Sequence, residues 1–275
     1  MINLNKDWIL KKINELKLRP SRGNGQNFLI SLDPITAIIA AGAVAAGDRV
    51  LEIGPGFGVL TEELLHAGAH VTAIEYDNKI AEYLKKTIPK KYPHEIIEGD
   101  VLQIARPEFL EALGAYKVIA NIPYHITGDI IRLLVESTYP PTVMCLLIQK
   151  EVGERLTAGP PHMNQLALFT QWSADVEYIE TISRKQFMPA PEVDSAIIRI
   201  TPRKDVCATH GVTKSEQQKL FSFIKRGFAH PRKQLANNLG VQKNDVNMSK
   251  LFDFSRRAES LSMDEWITLS RSLSE

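Results

Sequence analysis

The sequence contains very little cysteine. Only Cys145, in an apolar run, and Cys207, in a polar stretch, occur among its 275 residues. Two cysteines so placed have neither the spacing of metal ligands nor the number needed for a disulfide framework. Scarce cysteine of this kind is typical of a reducing compartment. We therefore expect a cytoplasmic protein without a metal site.

Long hydrophobic runs are also lacking. The longest, Ile35–Ala46, has 12 residues, whereas a membrane-spanning helix needs about 20. Asp33-Pro34 before this run and Gly47 after it predict a buried helix that has Asp33 as its N-cap. The first residues of the chain show no signal-peptide pattern. These features predict no membrane partner, and they favour the cytoplasm.

The net charge is small, at +1, but it is unevenly distributed. Residues 1–32 carry six basic against two acidic side chains, residues 33–200 carry 14 against 22, and residues 201–275 carry 13 against 8. Basic segments attract polyanions such as RNA, although a solvated helix face is the simpler explanation of any charge run. The candidate RNA-binding residues lie in an acid-free stretch between Gln217 and Asn244, and they are Lys225, Arg226, Arg232 and Lys233.

Strand-like and helical patterns alternate through the middle of the chain. The predicted strands are 49–53, 70–75, 95–98, 117–120 and 142–148, and the predicted helices between them are 60–67, 80–87, 108–113 and 126–136. This alternation predicts an α/β fold, in which a parallel sheet has helices on both faces. A helix at 164–172 and strands at 176–182 and 195–201 follow, and the two strands could extend the sheet.

The pattern changes after Pro202, because the remaining segments are helical and none reads as a strand. An N-terminal helix is predicted within residues 6–18, where apolar residues recur at helical spacing. The sequence therefore predicts two domains. Residues 1–204 form the α/β domain with a basic N-terminal arm, and residues 205–275 form a small all-helical domain.

A short polar and aromatic segment, Asn121-Ile122-Pro123-Tyr124, follows the predicted strand 117–120. It places a side-chain amide, a backbone carbonyl left free by the turn at Pro123 and an aromatic ring at the end of a strand. Two acceptor oxygens and a flat ring suit a planar amino group, such as the exocyclic nitrogen of adenine. The alternative is a plain loop in which Pro123 ends the strand and Tyr124 packs in the core.

A glycine-rich turn follows the first predicted strand and contains Gly54, Gly56 and Gly58. Glycines in such a turn let the backbone approach a ligand closely. Glu75 ends the next strand, where a carboxylate can accept hydrogen bonds from both hydroxyls of a ribose. These features fit NAD as well as S-adenosylmethionine. The NAD pattern Gly-x-Gly-x-x-Gly is absent, however, because residue 59 is valine.

Asp100 follows the third predicted strand, where its carboxylate could accept a hydrogen bond from an adenine amine. A turn or helix cap is the alternative role for this residue. The carboxyl ends of parallel strands meet at one edge of a sheet. Gly54, Glu75, Asp100 and Asn121 are therefore expected to surround one nucleoside there.

Several motifs together resemble the ribosomal RNA adenine dimethyltransferases, and they extend from about residue 19 to the end of the chain. The motifs are Gln26-Asn27-Phe28-Leu29, Glu52–Gly58, Asn121–Tyr124, Gln149–Val152, Phe187–Ser195, Phe228–Gly240 and Arg257–Leu261. The resemblance implies a Rossmann-like S-adenosylmethionine-dependent methyltransferase core with a small all-helical C-terminal domain. The Phe228–Gly240 segment is similar to the small-subunit branch, although Pro231 stands where relatives often have arginine.

The resemblance also implies roles for individual residues. Contact with S-adenosylmethionine is implied for Asn27, Leu29, Gly54, Gly56, Glu75, Asp100 and Asn121. Asn121, Pro123 and Tyr124 would hold the target base, and Phe187 would cover its opposite face, although Phe187 could instead be simple core packing. The expected substrate is 16S rRNA in a small-subunit assembly intermediate, and the expected oligomeric state is a monomer.

Three other functions stay open at this point. The same fold could methylate large-subunit rRNA, or it could serve as a non-catalytic assembly or transcription factor that binds RNA or DNA. A nicotinamide-dependent oxidoreductase is the third. It is disfavoured by Val59 and by the lack of a suitable Tyr-x-x-x-Lys pair.

Overall fold

The computed structural model describes residues 4–18, 26–241 and 252–273. The chain divides into two compact units. Unit 1 contains Met1–Gly153 and Val176–Pro202, and unit 2 contains Glu154–Asp175 and Arg203–Glu275. The sequence predicted one boundary, between residues 204 and 205, and assigned residues 154–175 to the first domain. The later boundary of the observed division falls within two residues of that position, but the observed division also transfers 154–175 to the C-terminal unit.

The first half of the chain contains seven helices and six strands among the described residues. In chain order they are α1 (Lys6–Glu15), β1 (Phe28–Leu29), α2 (Asp33–Ala41), β2 (Arg49–Ile53), α3 (Val59–His66), β3 (His70–Glu75), α4 (Asn78–Thr87), β4 (His94–Glu98), α5 (Val101–Ile104), α6 (Pro107–Leu113), β5 (Tyr116–Asn121), α7 (Thr127–Val135) and β6 (Val143–Gln149). The predicted alternation of strands and helices is confirmed.

The remaining elements follow in chain order. They are α8 (Lys150–Thr157), α9 (Gln165–Ser173), β7 (Ala174–Ile182), β8 (Phe187–Met188), β9 (Ser195–Pro202), α10 (Val206–Thr209), α11 (Lys214–Gly227), α12 (Leu235–Leu239) and α13 (Met263–Ser272). Among the residues described after Pro202 every regular element is helical, which confirms the predicted helical C-terminal region.

The central sheet has seven strands in the order β4-β3-β2-β5-β6-β9-β7. The first five of these are mutually parallel, whereas β9 is antiparallel to β6. Strand order reverses between β2 and β5, because the chain moves outward in one direction to β4 and then returns to the other side of β2. Open α/β sheets bind ligands beside the carboxyl ends of strands at such a switch point.

Burial explains why the strands read as hydrophobic runs. The side chains of β6 are buried from Val143 to Ile148, as expected for a strand covered on both faces. A large core of unit 1 joins β-strand residues to those of α2, α3 and α4. Unit 2 has a core of its own around the fully buried Trp172 and Trp266. Each unit therefore has the apolar interior that a compact domain needs.

Helix α2 is shorter than predicted and has a different cap. It begins at Asp33 with Leu32 at the N-cap position, where no side chain bonds the first turn, and it ends before Gly42. Ala43 then adopts a left-handed φ of 44°. The Asp48 carboxylate accepts the Ala45 N–H at 2.8 Å. This side-chain bond takes the place of the backbone hydrogen bond that the Ala45 N–H would make in a longer helix.

The small sheet formed by β1 and β8 was not predicted. These two strands pair antiparallel, with Leu29 opposite Phe187 and Phe28 opposite Met188. Strands of two residues carry no periodic pattern, so only the fold reveals that these motifs are neighbours. The pairing brings the Gln26–Leu29 motif next to the Phe187–Ser195 motif.

Candidate active site

A cavity of about 750 Å³ opens at the carboxyl ends of β2, β3, β4 and β5, within unit 1. Its walls include the ends of these four strands and the segment before β1. The cavity lies at the switch point of the sheet and has the size of ordinary ligand sites. Six of the predicted cofactor residues line it together with Asn121, namely Asn27, Leu29, Gly54, Gly56, Glu75 and Asp100.

The glycine-rich turn after β2 shapes one wall of the cavity. Gly54 and Gly56 have φ values of 69° and 56°, a region that residues with a side chain rarely adopt. A Cβ on Gly56 would also lie 3.2 Å from the Phe28 ring. The turn therefore brings bare backbone to the wall of the cavity.

Glu75 is held rigidly at the end of β3. Its two carboxylate oxygens accept the N–H groups of Gly56 at 3.2 Å and Asp77 at 2.9 Å. Its side chain is 6% exposed, and burial raises its pKa to about 7 although both N–H groups favour the charged form. A carboxylate oriented in this way can accept hydrogen bonds from a vicinal diol.

Asp100 has the alternative role that was weighed for it, that of a helix cap, and its contact with an adenine amine stays a prediction. Its Oδ1 accepts the Leu102 N–H at 2.9 Å and so caps α5, while the residue also lines the cavity. The cap therefore fixes the carboxylate at the edge of the ligand space.

The Asn121 side chain has a defined orientation. Its Nδ2 donates to the Asn27 carbonyl at 3.2 Å. Since a carbonyl only accepts, the NH₂ group must face Asn27 and the Oδ1 atom is left for another donor. Asn121 lines the cavity, so this oxygen is available to an amino group there.

The Pro123 carbonyl is not free, contrary to the expectation from the sequence. It accepts the Ile126 N–H at 3.3 Å, because Tyr124–Ile126 form a 3-10 turn before α7. A carbonyl oxygen has two lone pairs. One of them therefore remains for a ligand amine.

The two predicted aromatic residues do not line the cavity itself. The wall includes Pro123 and His125 but neither Tyr124 nor Phe187. Phe187 is 2% exposed and belongs to the core of unit 1. Tyr124 is half-buried, and its hydroxyl lies 2.6 Å from Ser195 Oγ. The role of each ring toward a target base stays a prediction.

Sequence reasoning missed some residues that line the cavity. Ile9 of α1 reaches it, where the neighbouring Trp8 ring packs edge-on against Phe57 at 6.1 Å. Tyr76 also lines it and is 76% exposed. The signal for Tyr76 was an aromatic residue directly after Glu75, whereas Ile9 had no signal beyond helical packing.

Glu52 is the most unusual of the missed residues. It lies within β2, lines the cavity and is 1% exposed. Its Oε2 has no hydrogen-bond partner among the described residues. Burial, with a smaller contribution from the nearby Glu75, raises the pKa of Glu52 to about 8. An acid within the apolar run Val50–Ile53 was the signal that could have identified it.

We expect Glu52 to make the ligand-free protein less stable at higher pH. An unfolded glutamate titrates near 4.5, but folded Glu52 titrates at about 8. Between these values the unfolded chain releases a proton that the folded protein retains. The contribution of protonated Glu52 to the stability of the folded protein is therefore fully present below pH 4.5, and it is lost as the pH rises to about 8.

Calorimetric melting of Glu52→Gln and of the unaltered protein at several pH values tests this expectation. Near pH 8 the variant should melt at a higher temperature than the unaltered protein. The difference in melting temperature should be roughly 2–4 °C for each kcal/mol by which the free energies of unfolding differ. The exposed Glu95 of β4 provides a matched control, since Glu95→Gln should follow the unaltered protein. Parallel pH curves for all three proteins would contradict the role of Glu52.

The four candidate RNA-binding residues lie in unit 2 and are all exposed. Lys225 and Arg226 occupy the last turn of α11, and Arg232 and Lys233 lie in the following loop. In the part of the chain that the structure describes, none of the four forms a salt bridge. Lys243 and part of the basic N-terminal segment fall outside the described residues.

Two further searches cover the same described residues. No helix among them is both long and apolar enough to cross a membrane. Within residues 4–18, 26–241 and 252–273, no three histidine, cysteine, aspartate or glutamate side chains come together as metal ligands would.

Comparison with solved structures identifies the fold. A dimethyladenosine transferase from Plasmodium falciparum superposes with a TM-score of 0.71 at 23% identity, covering 90% of this chain and 97% of that one. The structure of the 23S rRNA methyltransferase ErmE superposes with a TM-score of 0.71 at 22% identity, covering 90% of this chain and 100% of that one. The α/β fold with a helical C-terminal region is therefore that of Rossmann-like methyltransferases.

Comparison of sequences identifies the family. Curated relatives named ribosomal RNA small subunit methyltransferase A include one from Dehalococcoides mccartyi, 37% identical over 90% of this chain and 87% of the relative. Another, from Lactobacillus helveticus, is 35% identical over 95% of this chain and 94% of the relative. The family model for ribosomal RNA adenine dimethylase matches residues 18–275. With the glycine turn, Glu75 and Asn121 around one cavity, the chain belongs to the ribosomal RNA adenine dimethylase family.

Proposed function

We propose that this enzyme dimethylates the N6 amines of two adjacent adenosines near the 3′ end of 16S rRNA during ribosome biogenesis. The observation that carries the proposal is one cavity that joins a nucleoside-binding wall, at Gly54 and Glu75, to the acceptor oxygens of Asn121 and Pro123. The curated relatives that cover most of the chain are named for the small ribosomal subunit. This supports the small-subunit target.

The cofactor is S-adenosylmethionine, and the site fits it. Glu75 would hold the ribose, Asp100 would hold the adenine edge, and the turn at Gly54 and Gly56 leaves room for the rest of the molecule. When bound, the cofactor supplies a methyl group made electrophilic by sulfonium. Asn27 and Leu29 also line the cavity and would contact the cofactor.

The chain's own contribution to catalysis is to position the target amine. The N6 lone pair of adenine is delocalised into the ring and is a poor nucleophile. Asn121 Oδ1 and the second lone pair of the Pro123 oxygen would accept the two N–H bonds of the amine. They would aim its lone pair and stabilise the positive charge that develops on nitrogen. No general base is required, since the alkylated ammonium is acidic enough to release its proton to water.

The aromatic residues would hold the base once it has left its stack. Extruding a base costs a few kcal/mol, which stacking can offset. Tyr124 adjoins Pro123 and would provide one face. Phe187, buried in the core of unit 1, would provide the other only after its side chain or the β8 segment has moved.

The basic residues of unit 2 would bind the RNA backbone. Lys225, Arg226, Arg232 and Lys233 are exposed, and such residues are suited to phosphate contacts. We propose that the enzyme acts as a monomer in the cytoplasm on an assembly intermediate of the small subunit.

A methylation assay on isolated ribosomal subunits tests the proposal. Undermethylated small subunits should accept labelled methyl groups, and mass spectrometry of the nucleosides should identify N6,N6-dimethyladenosine. Large subunits and bare 16S rRNA are the comparison substrates. Labelling of large subunits alone, or stabilisation of the protein by NADH in place of S-adenosylhomocysteine, would overturn it. RNA binding without any transfer would indicate a non-catalytic factor.

A further inference from the structure

A short hydrogen bond links Tyr124 to a residue distant in sequence. The Tyr124 hydroxyl lies 2.6 Å from Ser195 Oγ, and Ser195 is fully buried, with 0% exposure. Burial raises the pKa of Tyr124, so the phenol stays protonated and can donate. Both residues belong to unit 1.

Ser195 is a fixed point in the sheet. It is the first residue of β9 and pairs with Gln149 at the end of β6. The preceding Asp194 accepts the Lys150 N–H through its carbonyl at 3.0 Å. Its carboxylate accepts the Arg184 N–H at 2.9 Å. The Ser195 hydroxyl therefore projects from backbone that is anchored on both sides.

Tyr124, in contrast, lies outside the sheet, in a short turn before α7. It begins a 3-10 turn of three residues, and the hydrogen bond from Ile126 to Pro123 that closes this turn is long, at 3.3 Å. Because β9 runs antiparallel to β6, its first residue lies at the same sheet edge as Asn121. The bond to Ser195 thus connects the turn that carries Tyr124 to the anchored start of β9.

The two methyl transfers make different demands on this ring. In each, the amine nitrogen uses its lone pair to form the N–C bond as the methyl–sulfur bond breaks, and it releases one proton to water. An unmethylated amine has two N–H bonds, one for Asn121 Oδ1 and one for the Pro123 oxygen. The monomethylated amine has only one. Its orientation therefore depends more on the ring against which the base stacks.

We infer that Ser195 is a positioning residue that holds the Tyr124 ring in place through its hydroxyl, and that its loss impairs the second methyl transfer more than the first. This inference rests on the proposed function, because it requires adenine to stack on Tyr124. It accounts for a buried serine hydroxyl that the fold alone does not require.

The test compares Ser195→Ala, Tyr124→Phe and the double variant on undermethylated small subunits, with nucleosides quantified by mass spectrometry at equal total methyl transfer. Each single variant removes the same bond from one side. Each should therefore raise the ratio of N6-monomethyladenosine to N6,N6-dimethyladenosine about threefold to tenfold, the worth of one hydrogen bond. The double variant should show no more than the larger single effect, because coupled residues are non-additive.

Tyr116→Phe is the matched control. Tyr116 lies at the other end of β5, is 1% exposed, and its hydroxyl donates to the Tyr139 carbonyl at 3.0 Å. Loss of this bond should lower the melting temperature without changing the product ratio. Binding of S-adenosylhomocysteine, measured by calorimetry, should be unchanged in all four variants.

The outcomes distinguish a failure of the proposed function from a failure of the positioning role of Ser195. If the unaltered protein produces no methylated adenosine on small subunits, the proposed function fails. If it does, but the ratio in Ser195→Ala and Tyr124→Phe equals that of the unaltered protein, only the positioning role fails. If the double variant changed the product ratio by the combined effect of the two single variants, the positioning role of Ser195 would be overturned as well. Should Ser195→Ala not fold, Tyr124→Phe alone decides, because it breaks the bond from the partly exposed side.

Discussion

Replacing Asn121 by alanine is expected to lower turnover by about 10²- to 10³-fold, the effect of removing one oriented acceptor from a charge-developing site. Asn121 Oδ1 is available because its Nδ2 is engaged by the Asn27 carbonyl. Its loss removes the group that aims the amine. Cofactor affinity should fall by less than about tenfold, since Glu75 and the glycine turn remain. Single-turnover methylation and calorimetric binding of S-adenosylhomocysteine measure the two effects separately.

Asn121→Asp is the matched variant for this prediction. It keeps an acceptor of the same shape but loses the donor to the Asn27 carbonyl, so its oxygen is no longer oriented. An intermediate rate is expected. If the alanine variant turned over within about threefold of the unaltered protein, a loss smaller than that of one ordinary hydrogen bond, Asn121 would not be the orienting group.

Replacing Glu75 by glutamine is expected to weaken cofactor binding by about 10²-fold, because charge-assisted hydrogen bonds to the ribose would be lost. The substitution would also turn an NH₂ group toward the N–H of either Gly56 or Asp77, both of which need an acceptor. Titration calorimetry with S-adenosylhomocysteine gives the loss of affinity directly.

Folding should survive the glutamine substitution. Burial already raises the pKa of Glu75 to about 7, and glutamine resembles the protonated acid. The ligand-free variant should therefore still fold at pH 8, with at most a modest loss of melting temperature from the backbone N–H that loses its acceptor. Glu95→Gln, at the exposed beginning of β4, is the control for a change of charge alone. Unchanged affinity in a folded Glu75→Gln variant would exclude Glu75 as a cofactor ligand.

The parts of the fold that depend on local sequence could be predicted. Strand and helix patterns from residue 49 to 148 gave the parallel sheet, and the rule that strand ends meet at one edge placed Glu75, Asp100 and Asn121 together. Their shared cavity follows from strand order, which alternating β-α units largely determine. The sequence also predicted the helical pattern after Pro202.

The features that depend on distant residues could not be predicted from pattern. Tyr124 and Ser195 are 71 residues apart, and nothing near either residue indicates the other. The pairing of Leu29 with Phe187 is similar, and it places Phe187 in the core, which the sequence offered only as the alternative to a role against the target base. Helix α2 was predicted too long because apolar composition continues past Ala41, while Ala43 and Asp48 turn the backbone.

The position of β9 inside the sheet has a consequence during synthesis of the chain. A nascent polypeptide that has emerged only as far as Gln149 already contains Gly54, Glu75, Asp100 and Asn121. It still lacks β8, which pairs with β1, and β9, which pairs with β6 on the side away from β5. It also lacks Ser195, whose hydroxyl lies 2.6 Å from that of Tyr124. All the residues that line the cavity are therefore synthesised before the strand that supplies this contact to Tyr124.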